Sequence, residues 1–78
     1  MEKVTQLFYD TDADVLYLSI GTPRSAVSQE LGNDVLLRVD TQTGDVVGLT
    51  VLNLSSRFAS IQDPQSLPVE MNLHKLGS

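Results

Sequence analysis

Apolar and polar positions alternate in short bursts along most of this 78-residue chain, and each burst is closed by turn-forming residues. That period of two is the mark of β-strands, whose successive side chains point to opposite faces. It predicts strands over residues 4–9, 14–20, 25–31, 34–40 and 45–52. One face would carry Leu16, Leu18 and Ile20, then Val27, Gln29 and Leu31, then Val35, Leu37 and Val39, then Val47, Leu49 and Val51. Between strands stand residues 10–13, the breakers Gly21 and Pro23, the pair Gly32-Asn33 and the run Asp-Thr-Gln-Thr-Gly at 40–44. Asp bonds backbone amides two residues on, and Gly or Asn accepts the left-handed conformation that tight turns need.

Past residue 52 the period changes. Leu54, Phe58 and Ile61 are spaced i, i+4 and i+7, one stripe of a helix. Asn53 is the expected N-cap and Pro64 the stop. Val69, Met71 and Leu73 then alternate with Glu70 and Asn72. The expected fold is mainly β (α+β): an antiparallel β-meander of about four to five strands with one short C-terminal helix. Residues 1–62 read as a single small β-rich domain, and 63–78 as a C-terminal tail or edge strand.

The opposite sides of the strands are also apolar, at Val15, Tyr17, Leu36, Val46 and Leu52. A half-solvated antiparallel sheet normally puts polar residues there. These five residues, with Val69, Met71 and Leu73, are the interface candidates. The expectation is a second face covered by the tail or by another chain. Gly48 lies inside an apolar strand, which a glycine weakens unless a bulge or a close backbone approach needs the room.

Composition strengthens the case for association. So short a chain has a thin core, and small scaffolds compensate with disulfides, metals or partners. There is no cysteine, and His74 is the single histidine. A homodimer, a small protein partner, or both are therefore expected. The net charge is −5, and Lys3, Arg24, Arg38, Arg57 and Lys75 are scattered. Nucleic-acid binding needs clustered cations, so none is expected. No apolar run approaches the roughly 20 residues of a membrane span. The first residues lack the layout of a signal peptide, which makes the cytoplasm the expected location.

The acidic trio Asp10, Asp12 and Asp14 is the one hint of site chemistry. Its spacing matches the first three ligand positions of a calcium loop. Val15 then stands where such a loop needs glycine, and Gly21 where it needs a bidentate glutamate. A turn explains the three residues better, leaving them weak metal candidates. Ser55 and Ser56 have no base near in sequence, and His74 is in the tail, so no nucleophile–base pair is expected. No cofactor motif is present.

Tyr9-Asp10, Ala13-Asp14 and Leu16-Tyr17-Leu18 together resemble the opening hairpin of the domain-of-unknown-function 2283 family of small prokaryotic proteins. Asp34-Val35, Val39-Asp40, the run Gly44-Asp45-Val46-Val47-Gly48-Leu49 and Val51-Leu52 resemble its second signature. The segment from Asn53 through Ser55-Ser56 stands where that family carries a small helix-like end. The resemblance spans about residues 4–60 and implies a compact, mostly antiparallel β-fold with no catalytic residues to carry over. Some members look like antitoxin partners of small toxins. The expected function is thus a non-catalytic protein-interaction module, possible antitoxin character included. The alternative is an acidic-loop metal or small-ligand binder at Asp10, Asp12 and Asp14.

Overall fold

The computed structural model describes residues 4–22, 24–58 and 64–76. Its described residues form five strands and one short helix: β1 (Thr5–Asp10), β2 (Val15–Ile20), β3 (Ala26–Gly32), β4 (Val35–Asp40), β5 (Val46–Leu52) and α1 (Leu54–Phe58). All strand pairings are antiparallel in one sheet of order β1-β2-β5-β4-β3. The predicted strands are all present. The meander is sequential only within β1–β2 and within β3–β4–β5, because β2 pairs with β5. That order puts β5, which carries Val47, Leu49 and Val51, at the centre, where both neighbours shield it.

The register settles the faces. Leu7, Leu18, Leu49 and Leu37 are successive cross-strand partners, as are Tyr9, Leu16, Val51 and Val35. This first face holds the core: Val35 is fully buried, Leu49 and Val51 nearly so, and Leu16, Leu18, Leu31 and Leu37 pack around them. Burying one such side chain contributes about 1.5–3 kcal/mol. Leu54 of α1 and Leu67 and Val69 of the tail pack on the same cluster. The tail therefore lies on the core face, not on the second face as expected. It forms no strand among its described residues. Five strands without a second sheet leave the core face bare, so the tail's aliphatics gain most by docking there.

Two interface candidates differ from expectation. Val15 keeps its place on the second face with Tyr17 but is buried, 7% exposed. Val46 stands opposite Val39, since the ladder slips between Arg38 and Val39. That bulge sets two β5 residues against one of β4 and turns Val46 to the core face. Gly48 serves the same junction. A Cβ there would lie 2.9 Å from the Leu18 carbonyl oxygen and 3.5 Å from the Arg38 side chain. Both sequence-level reasons for a glycine, a bulge and a close backbone approach, apply together.

The turn between β3 and β4 is formed by Asn33 and Asp34, both with positive φ, one residue later than expected. Gly32, at φ 89°, instead ends β3 at its own register shift. On the helix stripe Leu54 is half-buried, while Phe58 is 51% exposed. Ile61 lies outside the described residues.

Candidate interaction surface

Each aspartate of the acidic trio has its own position. Asp10 Oδ1 accepts the amides of Asp12 and Ala13, at 3.0 and 3.2 Å, the turn-forming role expected of it. Asp40 repeats this device at the opposite end of the sheet, accepting Gln42 and Thr43 at 2.7 and 3.0 Å. Both loops read Asp-Thr-Xaa-Xaa. Asp40 is 8% exposed and also meets the Arg24 guanidinium at 3.3 Å. Its two backbone bonds hold its carboxyl below the usual carboxylate range, and the Arg24 charge adds to this against the opposing cost of burial. Arg24–Asp40, with the Thr41 amide bonded to the Ser25 carbonyl, ties the link from β2 to β3 onto the end of β4.

Asp14 does something the sequence did not announce. It sits at φ 59° and reaches residues far along the chain. Its carbonyl accepts the Leu54 amide at 3.1 Å. Its carboxylate accepts the Ser55 amide at 3.0 Å and the Ser55 hydroxyl at 2.7 Å, and also the Tyr9 hydroxyl. These amides open α1 and have no acceptor within the helix, so Asp14 caps it from 41 residues away. Asn53, the expected cap, instead takes a left-handed turn at φ 52° between β5 and α1. The Ser55 hydroxyl bond, then the Tyr9 bond, hold the Asp14 carboxyl below its ordinary value. The same Tyr9–Asp14 bond raises the Tyr9 phenol.

Asp12 is exposed beside this pair. Among the described residues, no three of His, Cys, Asp and Glu stand close enough together to hold a metal ion. Ser55 is committed to Asp14, and His74 lies in the tail, on the wall of a separate groove. Arg57 donates to the Asn33 carbonyl at 2.8 Å and so fastens α1 to the β3–β4 turn.

The groove is a concavity of about 790 Å³. Its floor is the core face at Leu18, Ile20, Leu37, Val46 and Leu49, and its far wall is residues 68–76 of the tail. It exists because the tail docks at Leu67 and Val69 and then runs out over the sheet without a ladder. Of the interface candidates, it brings Val46, Val69, Met71 and Leu73 together. Leu73 is 84% exposed. Tyr17, Leu36 and Leu52 lie on the opposite face, where Tyr17 stacks on Phe8 with centroids 6.2 Å apart. The candidates thus divide between two faces. Sequence periodicity could not show this division, because the bulge at Val46 is a property of the pairing.

Among the described residues, no helix is long and apolar enough to cross a membrane. No curated protein and no solved structure matches the chain. The sequence profile of the family described as "Protein of unknown function (DUF2283)" matches residues 6–55, from β1 to the first turn of α1. The match covers all of the sheet but Thr5, and the Asp14–Ser55 cap, while leaving the tail outside, and the chain belongs to that family.

Proposed function

We propose that this protein is a non-catalytic interaction module, cytoplasmic and antitoxin-like in kind, that seats an apolar segment of a small protein partner between its core face and its tail. The observation that carries this reading is the open groove of about 790 Å³ on the face that holds the core. An apolar face left partly uncovered marks a contact site more often than a scattered surface aliphatic does. The exposed Met71 and Leu73 provide apolar surface on the tail side of the same groove. The net charge of −5 favours a basic partner through long-range attraction.

The test is capture of partners from source cells, with stoichiometry by mass spectrometry, using the wild-type chain beside a Val46→Asp/Leu73→Asp variant. Both residues are exposed enough for the variant to fold. The expected result is a stoichiometric small protein held by the wild type and lost by the variant. Equal capture by both, or capture of nothing, overturns the reading.

A further inference from the structure

We propose that β1 is a self-pairing edge, through which two copies of this chain join antiparallel about a two-fold axis at Leu7 into one continuous sheet. This names one partner of the interaction module proposed above and is tested separately from it. β1 ends the sheet, so one side of its backbone has no neighbouring strand among the described residues. The Gly21 amide donates to the Val4 carbonyl at 2.9 Å, and the register continues with Thr5 opposite Ile20. Bonded and non-bonded pairs alternate along an antiparallel ladder. Gln6, Phe8 and Asp10 therefore direct their backbone groups at β2. Thr5, Leu7 and Tyr9 direct theirs off the edge.

Pairing two β1 strands at Leu7 uses all three of these residues. Leu7 meets Leu7 of the second copy, and Thr5 meets its Tyr9, each pair exchanging two backbone bonds. Val4, Leu7, Phe8 and Tyr9 are 51, 68, 63 and 40% exposed, a run of large apolar side chains along one edge. Natural edges are blunted with charge, proline or bulges. The other edge, β3, has Glu30 and a register shift beside it, whereas residues 5–9 have neither charge nor proline.

Charge does not bar a second copy at this edge locally, although the net charge of the two chains repels. The chain is acidic, yet its β1 edge is neutral up to Asp10. Pairing at Leu7 sets Asp10 opposite the second copy's Val4. The two Asp10 residues are then about 20 Å apart along the strands, well beyond the screening length of about 8 Å in physiological salt. The second copy's Tyr9 would come beside Thr5, at the rim of the groove. Two six-residue strands bury less than the 1,200–2,000 Å² or so of a standard interface, so the dimer is weak and concentration-dependent.

The chain has no cysteine, so single substitutions report the register directly. Bonded partners lie about 5.5 Å apart between Cα atoms, within disulfide range. Leu7→Cys is expected to oxidise to a covalent dimer, and Phe8→Cys far more slowly. Light scattering should show the wild type dimerising with concentration and Leu7→Lys remaining monomeric with an unchanged circular dichroism spectrum. A wild-type monomer at every concentration overturns the pairing. So does a Leu7→Lys dimer, or cross-linking that favours Phe8→Cys. Partner capture by monomeric Leu7→Lys leaves the groove reading standing, while undiminished capture by a dimeric Val46→Asp/Leu73→Asp variant overturns the groove reading alone.

Discussion

A single carboxylate, Asp14, joins the first hairpin to α1. It is lowered by the bonds it accepts from Ser55 and Tyr9, and Asp40 is lowered by those from Gln42 and Thr43. A depressed folded-state pKa contributes stability above the unfolded carboxylate value of about 3.9, and that contribution is lost as pH falls through the lowered folded value. The melting temperature should therefore hold from neutral pH to about 5 and then fall steeply below about 4. Asp14→Asn keeps a residue that tolerates positive φ but removes the charge. It should lower the melting temperature at neutral pH and flatten the acid limb, as differential scanning calorimetry would record. Tyr9 has the opposite sign: its raised pKa contributes stability below about 10, lost as pH rises through the folded value. Gly48→Ala should cost about 2 kcal/mol in urea unfolding, because its Cβ meets the Leu18 backbone, which cannot swing aside.

At the scale of elements, the tail separates into two parts. Leu67 and Val69 pack on the buried cluster, whereas Leu73 is almost fully exposed. Leu67→Asp should destabilise by about 1–3 kcal/mol, as removal of a part-buried aliphatic does, and Leu73→Asp should change stability by no more than about 0.5 kcal/mol. Equal effects would mean that the tail does not dock as described. The helix has five residues, too few to persist unaided, so its stability rests on Leu54, the Asp14 cap and the Arg57 bond to Asn33.

For the whole molecule, charge opposes self-association. Two copies at −5 repel, and added salt screens that repulsion. The β1-paired dimer should therefore strengthen as ionic strength rises, which sedimentation at two salt concentrations would show. Calcium should shift neither the dimer nor the melting temperature, because the Asp10 and Asp14 carboxylates are turned toward backbone and hydroxyl donors in different directions. A calcium-dependent rise in melting temperature would restore the acidic loop as a ligand site.

The strands and their core faces were legible in the chain itself. Alternation at Leu16–Leu18, Val35–Leu37 and Leu49–Val51 has no other economical reading, and Asp and Gly between such runs make turns by local chemistry. Asp10 and Asp40 behaved as that chemistry requires, since their partners lie two and three residues away. What depended on partners remote in sequence was not legible. The placement of β5 beside β2, the bulge that turns Val46, the choice of Asp14 over Asn53 as cap and the docking of the tail on the core face all come from contacts across the sheet. Local pattern encodes which way a side chain points along its own strand. Only the assembled sheet decides what it meets there, because that is set by burying the most apolar surface and pairing every backbone bond at once.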